Sequence, residues 1–239
     1  MWNNAKALTR ISNAMFLLAI AVLLGALFWR IAHMDVFSVR AIDVVGDVSN
    51  VTEEQVKTIV GNQLYGTFFT VDLQGTQTAF EKLPWVRRVD VRRRWPNALE
   101  VIVEEHRELA RWGNTALVNT MGEIFEGASN RRLPVLEGPA GSNLEVTQNY
   151  FHFNKSLSRI GREVRSVRLS QRRAWRLTLD DGTVIALGRH GVVERLSSFV
   201  AVYERSVADL KGKVRYVDLR YVNGFAVQVE DKKRGDKRA

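Results

Sequence analysis

Ile11–Trp29 reads ISNAMFLLAIAVLLGALFW, nineteen residues without a charge. As a helix it is about 28 Å long, enough to cross a bilayer core of roughly 30 Å. Lys6 and Arg10 flank one end, and Trp29 and Arg30 close the other, where an interfacial anchor belongs. The stretch occurs once, so one crossing is expected. A cleaved signal peptide has a shorter apolar core and a small-residue cleavage site; Leu24-Gly25-Ala26, followed by Phe28-Trp29-Arg30, is a poor one. A buried helix of a soluble domain carries a polar face, and Ala14–Phe28 has none. The reading is a signal-anchor over 11–32. Arg30 and Arg40 offset Lys6 and Arg10, so orientation follows from length. The short tail 1–10 stays in, and the long C-terminal part is translocated.

About 205 residues follow the anchor, enough for one large domain or two small ones. There is no cysteine, which excludes disulfides, thiolate metal sites and a cysteine nucleophile. The net charge of +9 admits nucleic acid, anionic lipid or an acidic protein as partner. A domain outside the cytoplasm disfavours nucleic acid.

Immediately beyond the anchor, Phe37–Val45 alternates as a strand ending at Gly46. Thr52-Glu-Glu-Gln55 is a capping box, and Val56, Ile59 and Val60 continue a helix over 52–62. Asp72 caps a second helix to Lys82, with Leu73, Thr76, Ala79, Phe80 and Leu83 inward. Trp85–Trp95 follows as a strand whose odd positions are mainly apolar and whose even positions are charged. Pro96-Asn97 turns the chain into Leu99, Val101 and Val103, with Glu100 and Glu104 expected across from Arg92 and Arg94. The order is β-α-α-β-β, and its arginines read as a solvated sheet face.

After a composition shift at Glu105–Ala110 come short strands at Leu117–Asn119, Glu123–Phe125 and Leu133–Leu136, then a helix over 143–160 ended by Gly161. Val164–Leu169 is a strand, and Trp175–Leu179 forms a hairpin through Asp180-Asp181-Gly182. Val192–Leu210 is the most regular helix. Val214–Tyr221, the turn Asn223-Gly224 and Phe225–Val229 end the fold, before a basic tail over 231–239 expected to be disordered.

No catalytic constellation emerges. His33, His106, His152 and His190 lack partners at helical spacing, there is no phosphate loop, and Asp180-Asp181 reads as a turn former. No cofactor or metal is expected, and function is expected on surfaces.

Several stretches, in order behind one anchor, resemble the FtsQ/DivIB bacterial cell-division family, and most closely its FtsQ branch. They are Leu83-Pro-Trp-Val86, Val89-x-Val-Arg92, Trp95-Pro96, Leu99–Glu104, Ala110-Arg-Trp112, Arg172-Arg-Ala-Trp175-x-Leu-Thr-Leu179, Leu187-Gly-Arg189, Tyr216-Val-Asp-Leu-Arg-Tyr221 and Asn223-Gly224. The resemblance implies an α+β protein: a transmembrane helix, a POTRA domain (β-α-α-β-β) over 36–106 and a mixed β domain with flanking helices over 107–230. It implies a non-enzymatic inner-membrane scaffold of the divisome at the septum, with a cytoplasmic N-terminus and periplasmic domains. Its implied partners are the coiled-coil proteins FtsB and FtsL, held at the terminal strands. Carried over by motif, that surface comprises Arg220, Tyr221, Asn223, Gly224 and Phe225, with Arg172 on a neighbouring strand. The implied recruitment surface comprises Leu73, Arg88, Val91 and Arg93. Two other functions stand beside this one, a POTRA-type transport or assembly receptor and an envelope enzyme.

Overall fold

The charge-free stretch forms the middle of helix α1, Ala5–Ala32, in the computed structural model, which describes residues 5–46, 48–63, 66–208, 210, 212–221 and 224–230. Within it Leu8–Ala32 is long and apolar enough to cross a membrane by length and composition, and its side chains before Ala32 are exposed. The expected basic tail over 231–239 lies outside the described residues. The chain divides into two compact units, one ending at Glu105 and one beginning at His106.

The first unit continues with β1, Ala41–Val45; α2, Glu53–Gln63; α3, Leu73–Glu81; β2, Val86–Arg94; and β3, Ala98–Glu105. Each helix starts where its cap lies. The Thr52 hydroxyl accepts from Gln55 N–H at 3.3 Å while Gln55 Oε1 accepts from Thr52 N–H at 3.0 Å, a reciprocal capping box. Asp72 Oδ1 accepts from Gly75 N–H at 2.9 Å. The sheet order is β1-β3-β2, with β1 parallel and β2 antiparallel to β3. Val89, Val91, Val101 and Val103 pack with Phe80 of α3 and with Val56 and Ile59 of α2. Burying such side chains fully stabilises by about 1.5–3 kcal/mol each.

Three expectations about this unit need correction. Phe37–Val39 is not strand; a 3-10 turn at Asp35–Phe37 precedes β1. In β2 the alternation breaks at a bulge between Val86 and Arg88, so Val86 and Val89 are both buried. Arg92 does lie across from Glu100, but Glu104 lies across from Arg88 and pairs with Arg87 at 2.8 Å. Arg94 reaches Asp43 of β1 at 2.7 Å instead.

The second unit is built on β4, Glu108–Trp112; β5, Ala116–Asn119; β6, Ile124–Phe125; β7, Val135–Glu137; α4, Asn143–Leu157; β8, Val164–Leu169; β9, Trp175–Leu179; β10, Val184–Gly188; α5, Val192–Ser206; β11, Lys213–Asp218; and β12, Ala226–Glu230. These strands form one mixed sheet, β12-β11-β10-β9-β8-β7-β4-β5-β6. Gly161 ends the α4 region in the left-handed conformation (φ 67°), as its position suggested. Val146, Phe153 and Leu157 of α4, and Leu196, Phe199 and Val200 of α5, pack against Val167, Leu177, Ile185 and Val217 of the sheet. Strand β4 was not foreseen. It joins β5 on one side and β7 on the other, so it lies inside the sheet.

Candidate partner-binding surfaces

Strand β12 is the last strand of the nine, bonded to β11 alone among the described residues. Val227 and Val229 are half-buried, and Ala226, Gln228 and Glu230 are exposed. Among the described residues its outer backbone groups have no strand partner, as at any sheet edge that can accept a further strand.

The start of β12 lies at one end of the sheet, and the register shows what gathers there. Asp218 pairs with Ala226 across β11–β12, Ala186 with Asp218 across β10–β11, and Gly188 with Trp175 across β9–β10. The end therefore holds Arg220, Tyr221, Gly224 and Phe225, the Gly188–Arg189 terminus, and the turn that precedes β9. That turn contains Arg172, which is exposed and not on a strand, a correction to the expectation above. With adjacent strands roughly 4.8 Å apart, β9 and β12 are about 14 Å apart. Asn223 lies outside the described residues.

Arg220 is held in place. Its Nε donates to both Asp218 carboxylate oxygens at 2.8 and 3.1 Å, its Nη2 donates at 2.6 Å, and its backbone N–H donates to Asp218 Oδ1 at 3.0 Å. The Asp218 side chain is 8% exposed, whereas that of Arg220 is 61% exposed. The Arg220 hydrogen bonds hold the Asp218 carboxyl below its ordinary value against the opposing effect of burial. The same contacts raise the Arg220 guanidinium. A buried acid thus presents a fixed cation to solvent. Tyr221 is 60% exposed beside it. Phe225 behaves differently: its ring meets Phe199 of α5 edge-on at 5.3 Å and packs on the core.

Asp218 and Arg195 were missed by sequence reasoning. Asp218 and Arg220 are two residues apart on one strand line and so share a face, a signal the spacing carried. Arg195 donates to the Leu187 carbonyl at 3.1 Å. A Cβ on Gly188 (φ +83°) would lie 3.1 Å from its guanidinium and 3.4 Å from Arg220 Cγ. That closeness is not visible before folding.

The recruitment residues divide. Val91 is 8% exposed and Leu73 packs on the first unit's core, so both serve the interior. Arg88 is exposed. Arg93 donates to the carbonyls of Phe68 at 2.6 Å and Val71 at 3.1 Å, clamping β2 to the segment before α3. On the other side of this unit, β1 has no second strand neighbour among the described residues. A groove of about 590 Å³ runs between it and α2, lined by Ile42, Val44, Val56 and Val60 with Arg40 and Lys57 at its rim.

Asp180 and Asp181 act as turn formers: Asp181 accepts from Thr183 N–H at 2.8 Å, and both carboxylates lie near Arg162. Among the described residues no three His, Asp or Glu side chains gather as a metal site would require.

Residues 37–106 match the FtsQ-type POTRA domain family, and residues 110–220 match the family described as cell division protein FtsQ/DivIB, C-terminal. The chain is 41% identical to the cell division protein FtsQ of Nitrosospira multiformis over 234 residues, covering 95% of this chain and 99% of that one. The chain belongs to the FtsQ cell-division family. Two further FtsQ proteins, from Burkholderia pseudomallei and Neisseria gonorrhoeae, are 38% and 31% identical, each over 95% of this chain. In this FtsQ-family chain the first unit is thus an apolar helix followed by a POTRA domain. Arg220, two residues beyond the end of β11, is the last residue of the C-terminal family match.

Proposed function

We propose that the chain is a non-enzymatic scaffold of the division complex. It crosses the inner membrane once at α1, with its N-terminus in the cytoplasm and its folded domains in the periplasm, and acts at the septum. It binds FtsB/FtsL-like coiled-coil proteins at β12, and the bound segment adds a tenth strand while an acidic side chain meets Arg220. The observation that carries this reading is the edge of β12, open among the described residues, beside the pre-oriented Arg220 and the exposed Tyr221. Strand addition supplies affinity through main-chain hydrogen bonds. Exposed Arg and Tyr are common centres of binding energy, and a guanidinium takes a carboxylate through two parallel bonds. Arg172 and Arg189 extend the positive charge along the sheet end, and Gly224 leaves room for a close backbone approach. Phe225 contributes indirectly, by fixing the chain at the start of β12 on Phe199. Asn223 stays in the proposed surface by motif alone.

Arg88 and Arg93 remain the outward members of the proposed recruitment surface, with Leu73 and Val91 supporting it from the core. A receptor that takes an extended segment is the second reading, favoured by the open edge of β1 and the apolar groove beside it. Recovery of a small coiled-coil membrane protein with the full chain tests the first reading. Tyr221→Ala and Arg220→Glu should each abolish recovery while the circular dichroism spectrum stays native. Undiminished recovery with both would sink the β12 edge. Loss on Val44→Lys, with β12 variants neutral, would favour the receptor.

A further inference from the structure

Among the described residues the end of α1 is hydrogen-bonded to the POTRA domain through Thr67. The Thr67 hydroxyl donates to the Ala32 carbonyl at 2.6 Å, and Ala32 is buried by the contact. Phe68 N–H donates to the Phe37 carbonyl at 2.6 Å. Around this tie four rings interlock. Phe37 and Phe69 have centroids 5.1 Å apart, Phe68 and Phe69 5.3 Å, Phe68 and Trp95 5.9 Å, and Phe37 and Trp95 6.4 Å. The Arg93 clamp joins the β2–β3 tip, which carries Trp95, to the loop that carries the phenylalanines. The pole is therefore one fixed surface.

Among the described residues much of that surface is uncovered, with Phe37 and Phe68 half-buried. Trp95 is 69% exposed, Val36 64% and Phe69 47%, and Met34 is exposed beside them. Arg40, which bonds Asn97 of the β2–β3 tip, is exposed, as are Arg92 and Arg94, which are paired with Asp90 and Asp43. The opposite pole has another character. β2 runs toward Trp95 and β3 returns from it, while α3 runs away from Asp72, so Glu81, Lys82, Glu104 and Glu105 lie far from the rings. Apolar rings with partly ion-paired arginines mark the end where the chain leaves α1, and mixed charges, Arg88 among them, mark the end where it leaves the POTRA domain.

We propose that the Phe37/Phe68/Phe69/Trp95 pole is seated in the interfacial layer of the bilayer that α1 crosses, with the neighbouring arginines on anionic headgroups. The inference rests on the reading of α1 as the membrane span. Continuity argues for lipid as the occupant: the last turn of α1 carries exposed Phe28, Trp29 and Ile31, and the first exposed apolar side chain of the pole follows two residues after Ala32. Aromatic side chains favour the headgroup level, where one part of the ring is dry and the other wet. Each arginine near an anionic surface adds to the attraction. Seating the pole would restrict the tilt of the POTRA domain relative to the membrane, which an anchor helix alone does not.

The chain has no cysteine, so single thiols report cleanly. The full chain, one copy per nanodisc of phosphatidylethanolamine and phosphatidylglycerol, is spin-labelled in turn at Phe69→Cys, Trp95→Cys, Leu23→Cys and Lys82→Cys. Collision with oxygen is compared with collision with a water-soluble nickel chelate. Labels at 69 and 95 should favour oxygen several-fold over the label at 82, approaching the label at 23, with more nickel contact when phosphatidylglycerol is omitted. Water-like values at 69 and 95 with a lipid-like value at 23 overturn this inference and leave the span intact. A water-like value at 23 overturns both. Protection of 69 and 95 from both colliders, with label–label coupling in discs holding two copies, assigns the pole to a second copy of the chain and also overturns it.

Discussion

Asp218→Asn separates a partner contact from a residue that positions one. Asp218 is buried, so no partner reaches it, yet it accepts four hydrogen bonds from Arg220, three from the guanidinium and one from the backbone. Asparagine keeps one oxygen for the backbone N–H but turns its amide toward the guanidinium and removes the charge. Asp218 is buried but the Arg220 guanidinium is screened by solvent, so the pair contributes little to folding and the domain should lose little stability in a urea melt. Partner affinity should fall further than that stability loss explains. A freed arginine must be ordered again on binding, at about 0.5–1.5 kcal/mol for such a side chain, or roughly 2- to 12-fold in Kd. Calorimetric titration with the outer segment of the proposed coiled-coil partner measures this. In an Arg220→Ala background the same substitution should change Kd less than about twofold, because nothing remains to be positioned. Equal losses in both backgrounds would refute the argument, since Asp218 would then act without Arg220. The sign with pH is fixed as well. A carboxyl held below its ordinary value of 3.8 contributes fully above that value and loses its contribution as pH falls through the lower, folded value. The affinity deficit of the variant should therefore be flat between pH 5 and 8.

Glu105 closes the POTRA domain, accepting from Asn50 N–H at 2.9 Å, Asn50 Nδ2 at 2.9 Å and Val51 N–H at 2.8 Å. Burial raises its carboxyl, but the hydrogen bonds from Asn50, Val51 and Ser49 together outweigh burial and hold it below 4.5. Glu105→Ala should cost about 2–3 kcal/mol, and the wild-type advantage over it should be full above 4.5 and shrink as pH falls through the lowered, folded value, read by hydrogen exchange at the amides of α2 and β3. Gly46 has φ +144°, and a Cβ there would lie 2.2 Å from the Val103 carbonyl oxygen, so Gly46→Ala should destabilise the same domain by about 2–4 kcal/mol in the same exchange assay.

Much of the POTRA domain was legible because its signals are local. Thr52 and Gln55 cap each other, and Asp72 caps Gly75, through contacts three residues apart. Leu99, Val101 and Val103 alternate into the core without interruption. The failures were of another kind. The bulge at Val86–Arg88 shifts the first residues of β2 by one, which turns Val86 to the core face. Arg94 found Asp43 because β1 lies beside β3, a pairing of residues more than fifty apart. β4 went unread because five mixed residues gain their strand character from two neighbours, one of them parallel and more than twenty residues away. At the candidate site, Tyr221 and Arg220 were visible as exposed types in a motif. The arrest of Arg220 by Asp218 and the packing of Phe225 on Phe199 depend on where α5 and β11 come to lie.

An open edge alone would be a poor recognition device. Its backbone groups accept any extended chain, including another copy of itself, and β12 spans only five residues, which weakens such nonspecific pairing. Selectivity must come from side chains at its ends. Glu230 is tied to Arg215 at one end, which satisfies both charges locally. At the other end Arg220 is ion-paired too, but its carboxylate is buried and its guanidinium faces outward, so it can still take a second acid. A partner strand whose acidic residue meets Arg220 is fixed in register, and a slip of one residue would turn that acid to the opposite face. Moving the partner's acidic residue by one position should therefore cost as much affinity as deleting it, whereas moving it by two, which restores the face, should recover part of the loss. Equal affinity at all three positions would mean that Arg220 attracts the partner through long-range charge alone and does not set its register.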